Sequence, residues 1–226
     1  MNKHGWEIKK QSRYLLRKVI KILRGLFFRT TITNLKYATY SKLPVPLHWE
    51  KIAGGRKLFV EIGSGHGEVL LANNSEKSIS IGYEIKSRFF RLTQRKISRR
   101  GDIFVYKGSG YESLFLHYLN SSIDRIFVLF PDPWHKRKHN KRRPLTAEFF
   151  LNVAQKLKSG GEIIIATDWP EYADFIKEEV AKISSCYQVT VKPYEPVEFA
   201  LPITHYHQKW VRKGRSFTAF ILKKLG

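Results

Sequence analysis

The sequence of 226 residues contains little cysteine, few acidic residues and no long apolar run. Cys186 is its single cysteine, which excludes an internal disulfide and argues against a metal site built from cysteines. No run approaches the roughly 20 apolar residues that a membrane-spanning helix needs, and no secretory cleavage pattern follows the N-terminus. We therefore expect a cytoplasmic protein, and nothing in the sequence calls for a membrane or an obligate protein partner.

The shortage of acids leaves a large positive charge. Lys and Arg number 41 against 19 Asp and Glu, a formal net charge of +22. Such an excess opposes compaction and is typical of proteins that bind a polyanion. Solubility alone is the simpler interpretation and an anionic membrane surface is another, but nucleic acid is the partner that we expect. The apolar fraction of 42% predicts a folded core.

The first 50 residues differ from the rest of the chain. Residues 9–29 combine basic side chains with apolar residues at helical spacing, which predicts a basic amphipathic helix. Such a helix could dock on the domain, touch RNA, lie on a membrane or serve as a transit peptide, and the basic character of the whole chain favours the first two. Residues 42–55 contain two prolines and Gly-Gly and are typical of a linker. We expect an extension over residues 1–50 and one domain over 51–226.

Short apolar runs alternate with helical stretches from residue 57 onward, a pattern typical of a parallel sheet buried on both faces. The predicted strands cover residues 58–62, 78–84, 103–106, 123–130 and 162–166. The predicted helices cover residues 67–73, 88–99, 147–157 and 171–184. Two late strands, 187–192 and 216–223, are expected to form an antiparallel edge hairpin. The sequence thus predicts a doubly wound, mostly parallel α/β domain of the Rossmann-like type, with ligands at the carboxyl ends of the strands.

A glycine-rich loop follows the first predicted strand, in the sequence FVEIGSGHGE over residues 59–68. The glycines that allow a tight turn and close approach to a ligand are Gly63, Gly65 and Gly67. A dinucleotide site prefers glycine where Glu68 stands, and an anionic side chain suits a pyrophosphate poorly. Glu61 before the loop suits a cationic ligand, and Glu84 at the end of the next strand can accept hydrogen bonds from both hydroxyls of a ribose. A glycine turn with two surface acids is the plainer interpretation, but the combination favours the adenosyl cofactor of a methyltransferase.

The fourth predicted strand leads into FPDPWHKRKHNKRR, residues 130–143. Prolines on both sides of Asp132 fix the backbone and remove two amide donors, which predicts a rigid presentation of one carboxylate. Trp134 offers a flat apolar surface to a base, and the residues that follow it are nearly all basic. A charged run is commonly only a solvated loop. A carboxylate, an aromatic ring and cations at the mouth of an α/β sheet are, however, what an enzyme that modifies a nucleic-acid base needs.

Four segments resemble the signatures of the bacterial tRNA (guanine-N7)-methyltransferases, a family of class I S-adenosylmethionine-dependent enzymes: VEIGSGHGE, GYEIK, VLFPDPWHKRKHNKRR and IIIATDWPEYADF. The resemblance extends from Trp49 to the C-terminus, and its PDPWHK stretch is highly specific. It implies S-adenosyl-L-methionine as the cofactor and tRNA as the partner. It also implies that the methylated atom is N7 of a guanine, usually guanine 46 in the variable loop.

The resemblance assigns cofactor contacts to individual residues. In the family, the positions matching Glu61, Glu84 and Asp132 bind the cofactor, and the position matching Asp132 is also catalytic. Where the family usually carries an Asp or Asn that recognises adenine, this sequence has Ser109, whose hydroxyl can still hydrogen-bond the ring. Guanine N7 bears no proton, so attack on the sulfonium methyl needs no general base. Asp132 is expected to favour the positive charge that develops on the purine.

The resemblance also implies contacts with tRNA. The positions matching Lys136 and Asp168 contact the substrate in the family. We expect Lys136 and the later Arg142 and Arg143 to hold phosphates. Asp168, assisted by Thr204, is expected to receive the N1–H and amino donors of the guanine.

One departure from the family pattern concerns the guanine pocket. The family's late Thr-x-x-Glu segment appears here with His207 in place of the Glu. A neutral imidazole can accept a hydrogen bond from guanine, whereas an imidazolium cannot; the alternative is that His207 points to solvent, or packs beside Tyr206 and Trp210, without touching the base. The pairs His135/His139 and His205/His207 do not predict a metal site, since no carboxylate or cysteine lies nearby. The replacements at positions 109 and 207 support an alternative function, a non-catalytic tRNA-binding protein that retains the methyltransferase fold.

Overall fold

The computed structural model describes residues 49–98 and 102–226, so the basic helix predicted over residues 9–29 lies outside the described part. The strands are β1 (Lys57–Ile62), β2 (Ser78–Glu84), β3 (Ile103–Lys107), β4 (Ile123–Leu129), β5 (Leu157–Thr167), β6 (Tyr187–Pro193) and β7 (Thr218–Lys224). The α-helices are α1 (Trp49–Ala53), α2 (Glu68–Ala72), α3 (Ser87–Ile97), α4 (Gly110–His117), α5 (Ala147–Lys156), α6 (Pro170–Ala181) and α7 (His205–Val211). Two 3-10 helices cover Arg137–Arg142 and Pro196–Phe199.

The seven strands form one sheet in the order β3-β2-β1-β4-β5-β7-β6. The first five strands are parallel, whereas β7 pairs antiparallel with both β5 and β6. All seven residues of β2 are buried, as expected for an apolar strand covered on both faces. The predicted doubly wound, mostly parallel sheet with an antiparallel edge is therefore confirmed.

Three helices were not predicted from the sequence. Helices α4 and α7 have eight and seven residues, too short for a clear apolar period, and their N-terminal caps are Ser109 and Thr204. Helix α1 lies within the segment that was interpreted as a linker. Its Trp49 is fully buried and packs on Phe104 with ring centroids 5.1 Å apart. Trp49 therefore packs into the core of the domain, and the boundary expected at residue 51 stays a prediction.

The sheet order places the site. From β1, the chain proceeds outward in one direction to β2 and β3, and then crosses to β4 and β5 on the other side of β1. Such a reversal leaves a crevice at the carboxyl ends of β1 and β4, where open α/β sheets bind their ligands. The glycine loop follows β1, and the Pro-Asp-Pro segment follows β4. The two predicted motifs are thus brought together by strand order.

Candidate active site

The glycine loop has the backbone that its sequence predicts. Gly63 and Gly67 have φ angles of 80° and 73°, in the left-handed region that favours glycine. The amides of Gly63 and Ser64 donate to the carbonyl of Tyr83 at 2.8 and 3.0 Å, which fastens the loop to the end of β2. A Cβ at position 67 would lie 2.6 Å from Cγ2 of Thr93, so this glycine also allows α2 to approach α3.

Glu61 is a buried acid beneath this loop. Its residue is 4% exposed, and its Oε2 has no hydrogen-bond partner within the described ranges. Burial raises the pKa of Glu61 well above its usual value, and the nearby carboxylates of Glu84 and Glu68 raise it further. A buried carboxyl group is costly to ionise, so the arrangement suits a ligand that brings positive charge.

Glu84 closes β2 with both carboxylate oxygens oriented by backbone amides. Oε2 accepts the N–H of Gly65 at 2.9 Å, and Oε1 accepts the N–H of Lys86 at 2.7 Å. Each oxygen retains acceptor capacity, since a carboxylate oxygen has two lone pairs. The neighbouring Gly108 amide donates to the Glu84 carbonyl at 3.1 Å, which places Ser109 close by. Ser109 caps α4 by accepting the Glu112 amide at 3.4 Å, and its contact with adenine stays a prediction.

The segment after β4 presents Asp132 on a strained backbone. Phe130 and Trp134 have φ angles of 56° and 50°, which cost bulky residues about 1–3 kcal/mol each. Oδ1 of Asp132 accepts the N–H of Trp134 at 3.0 Å, which fixes the carboxylate. The side chain is exposed at the mouth of the sheet. Strain of this kind is typical of functional loops, because the fold must hold a conformation that the local sequence disfavours.

Arg143 is a buried residue that fixes the loop around Asp132. It is 8% exposed, its Nε donates to the Pro133 carbonyl at 2.9 Å, and its guanidinium lies 5.1 Å from the ring centre of Tyr172. The phosphate contact expected for Arg143 thus conflicts with its burial, and the structure gives this residue a role in fixing the loop. Lys136 and Arg142 are exposed, with Arg142 5.1 Å from the ring centre of Trp134, so both remain available to phosphate.

Asp168 follows β5 and is held by two side chains that sequence reasoning missed. Its side chain is 6% exposed and forms an ion pair with Arg215. The hydroxyl of Tyr206 donates to Oδ1 at 3.2 Å; burial and Asp168 raise the pKa of Tyr206 to about 12, so the hydroxyl keeps its proton. The guanidinium of Arg215 lies 3.6 Å from the ring centre of Trp210. The only sequence signal for these partners was the aromatic and basic composition of the segment after Thr204.

Helix α7 closes the site against the glycine loop. Oγ1 of Thr204 accepts the His207 amide at 3.2 Å, so the hydroxyl expected to assist Asp168 serves as a helix cap. The carboxylate of Glu68 accepts the amide of His205 at 3.0 Å, and the rings of His66 and His205 stack with centroids 5.2 Å apart. Segments about 140 residues apart in sequence therefore meet at this end of the sheet.

His207 is enclosed by aromatic rings. The residue is 8% exposed, and its ring lies 4.6 Å from Phe217, 5.5 Å from Tyr194 and 6.2 Å from Phe130 between centroids. Its Nδ1 has no hydrogen-bond partner among the described residues, and burial lowers its pKa. His207 thus packs among aromatic rings, as the alternative proposed, but against these three rather than beside Tyr206 and Trp210, and it does not point to solvent. The predicted contact between His207 and guanine would require these aromatic rings to move apart.

In the two described ranges, no group of three or more His, Cys, Asp or Glu side chains could hold a metal ion. No helix within the same ranges is long and apolar enough to cross a membrane.

Comparison with known proteins identifies the family. The sequence model of a family described as putative methyltransferase matches residues 55–220. The chain is 35% identical over 185 residues to the tRNA (guanine-N(7)-)-methyltransferase of Wolbachia pipientis wMel, which covers 78% of this chain and 80% of the relative. The chain belongs to the tRNA (guanine-N7)-methyltransferase family. A second member, from Aquifex aeolicus, is 30% identical over 195 residues, or 84% of this chain and 62% of the relative. The chain thus spans less than two thirds of the Aquifex protein's length.

Solved structures confirm the fold. The crystal structure of the 16S rRNA methyltransferase KamB aligns with a TM-score of 0.56 at 12% identity, covering 79% of this chain and 93% of that one. S-adenosyl-L-methionine is the cofactor of this methyltransferase family. The residues present fit it: Oε2 of Glu61, which has no partner in the described part of the chain, suits its cationic methionine moiety, and Glu84 suits its ribose.

Proposed function

We propose that this protein transfers the methyl group of S-adenosyl-L-methionine to N7 of a guanine in tRNA, with guanine 46 of the variable loop as the target. The observation that carries the proposal is the position of the strained Phe130–Trp134 loop. It presents Asp132 at the same crevice as Glu61 and Glu84, in a chain whose relatives bear this activity in their names.

The reaction requires no proton transfer to or from a side chain of the protein. Guanine N7 offers an in-plane lone pair and carries no proton, so no general base is required. The cofactor supplies an electrophilic methyl group on a sulfonium. Asp132, fixed by the Trp134 amide, stabilises the positive charge that grows on the purine, and the rigid loop aligns the base for in-line attack.

The remaining residues bind the substrate. Arg215 and Tyr206 orient Asp168, and its remaining lone pairs accept from the guanine N1–H and amino groups once tRNA binding uncovers a side chain that is 6% exposed. Trp134 provides a stacking surface for a base that leaves its stack, an excursion that costs a few kcal/mol. Lys136 and Arg142 bind phosphates. The extension over residues 1–50 adds cations to the same tRNA contact, and the reaction takes place in the cytoplasm.

The test uses purified protein, labelled cofactor and an unmodified tRNA transcript. We expect label in the tRNA, chain cleavage at guanine 46 by reagents specific for N7-methylguanine, and no label in a transcript with adenine at that position. Label at another guanine would overturn the target position. Binding of cofactor and tRNA without any transfer would favour the non-catalytic tRNA-binding protein.

A further inference from the structure

Helix α3 begins three residues after Glu84 and carries an unusual charge pattern. Its sequence, SRFFRLTQRKI, contains four basic residues and no acid. Arg88, Arg91 and Arg95 recur at the i, i+3 and i+7 spacing that places side chains on one face of a helix. All three are exposed, whereas Thr93 and Ile97 on the opposite face are buried. We call these three residues the arginine stripe.

The arginine stripe has no acidic partner in the described part of the chain. None of its guanidinium groups makes an ion pair or a side-chain hydrogen bond with any residue in the ranges 49–98 and 102–226. Helix α6 shows the contrast, because Lys177 pairs with Asp174 at 3.0 Å and Lys182 with Glu179 at 2.5 Å. Acidic residues thus lie beside the exposed lysines Lys177 and Lys182, whereas the structure describes none paired with the arginines of α3.

This pattern works against the helix itself. Like charges at i, i+3 and i, i+4 repel, and Arg88 stands in the first turn, where the helix dipole favours acids. Residues that oppose local stability without a compensating contact are typical of positions that serve function. The stripe is therefore better explained by a partner that brings negative charge than by the folding of α3.

The position of α3 indicates which partner. In the sheet, β1 separates β2 from β4, so the carboxyl ends of β2 and β4 lie about 10 Å apart. The stripe follows β2 and the basic 3-10 segment Arg137–Arg142 follows β4. Lys96 of α3 donates to the carbonyl of His66 at 2.9 Å, which ties this helix to the glycine loop between the two groups. Exposed cations thus flank the crevice on both sides.

We propose that the arginine stripe is a second phosphate-binding surface, which holds the tRNA backbone on the side of the crevice opposite the Arg137–Arg142 segment. The proposal rests on the function proposed above and adds a contact outside the family-derived site. RNA fits better than a lipid surface, because the apolar face of α3 is packed into the protein through Ile97 and Phe90 and leaves no apolar face to enter a bilayer. Exposed arginines at one-turn intervals match a polyanion instead.

The experiment measures tRNA binding by the full chain across a range of salt concentrations. The R88Q/R91Q/R95Q variant removes three charges from the stripe with residues that favour helix. The matched K177Q/K182Q/K223Q variant removes three charges from cations that are paired on α6 or lie near the far end of β7. We expect the stripe variant to flatten the log–log salt slope by about 2 to 3 units, since each phosphate contact contributes about 0.7–0.9 unit. The control should change the slope by less than one unit.

Further variants and measurements distinguish a loss of phosphate contacts from misfolding and from membrane binding. The R88K/R91K/R95K variant keeps the charge and should restore most of the slope, and circular dichroism should show all variants folded. A stripe variant that matches the K177Q/K182Q/K223Q slope would overturn the proposal. So would stripe-dependent binding to phosphatidylserine vesicles together with unchanged tRNA binding. Absence of methyl transfer by the wild type would instead contradict the proposed function. The two failures are distinguishable, because the salt slope of tRNA binding is measured without turnover.

Discussion

Two halves of the site hold their carboxylates in different ways. In the β1–β2 half, Glu84 is held by backbone amides, and one oxygen of Glu61 has no partner among the residues that the structure describes. In the β5–α7 half, Asp168 is held by the side chains of Arg215 and Tyr206. The first half leaves carboxyl oxygens that can meet a cationic ligand, whereas the second pairs its carboxylate with a cation of the protein.

The difference shows how each half depends on sequence. Backbone amides are present whatever the side chain, so the β1–β2 half needs only glycines and two acids at fixed places in a short stretch. The β5–α7 half needs specific side chains 38 and 47 residues away from Asp168. It is therefore more sensitive to substitution of residues that belong to no recognisable motif.

The largest expected effect falls on Asp132, which lies between the two halves. Asp132→Asn keeps an oxygen that can accept the Trp134 amide but removes the charge. We expect the rate of methyl transfer to fall about 100- to 1000-fold while the protein stays folded, by analogy with removing one preorganised transition-state contact. Single-turnover methylation of tRNA measures the rate. Near-normal transfer by the folded variant would contradict the proposed mechanism.

The next effect is on stability in the β5–α7 half. Asp168→Asn removes the charge that Arg215 pairs with, in a side chain that is 6% exposed. We expect the free energy of unfolding to fall by about 1.5–3 kcal/mol, the range for hydrogen bonds to a charged group. Urea unfolding at pH 7 measures it, with Asp174→Asn as a control at an exposed ion pair. Equal stability of the two variants would show that the Arg215 contact adds little.

The matching amide substitution in the β1–β2 half should act differently. The pKa of Glu61 is raised by burial, so the folded protein binds a proton there more tightly than the unfolded chain. Wild-type stability therefore falls as pH rises from the ordinary Glu value through the raised pKa, by at most about 1.4 kcal/mol per pH unit, and Glu61→Gln should lack this decline.

The same residue should couple cofactor binding to pH. A cationic ligand favours the ionised carboxylate of Glu61. The cofactor affinity of the wild type should therefore rise as pH increases from the ordinary Glu value through the raised pKa of Glu61. Calorimetric titration with S-adenosyl-L-methionine checks this, together with urea unfolding over the same pH values. Parallel curves for wild type and Glu61→Gln would mean that Glu61 does not meet the cation.

The smallest effect concerns His207. Burial lowers its pKa, so the unfolded chain binds the proton more tightly, and stability should decline as pH falls through about 6.5. The His207→Phe side chain fills the same place in the aromatic cluster and should reduce this decline in stability. The rate of methyl transfer should change by less than about threefold, because Nδ1 has no partner to lose in the described ranges. Thermal unfolding and transfer rates from pH 5.5 to 8 test it. A large loss of transfer would place His207 in the guanine site instead.

The sequence was a good guide to the strands and to the β1–β2 half. Buried parallel strands such as β2 are continuous apolar runs, and the glycine loop and Glu84 follow them directly. It was a poor guide to α4 and α7, whose short lengths give no period, and so the positions of Tyr206 and Thr204 on the protein were unknown. The burial of Arg143 was hidden for a related reason. Within a basic run, only tertiary packing on Tyr172 separates a structural arginine from one that faces solvent.

The position of β7 has a consequence for how the protein is made. Among the described strands it comes last in sequence, yet it lies between β5 and β6. While the nascent chain grows, the outer edge of β5, with Ile163, Ile164 and Ile165, has no neighbour until residues 218–224 have left the ribosome. An apolar strand edge that waits in this way is a template for another chain. We therefore expect a chain that is truncated before Thr218 to aggregate more readily than the full chain.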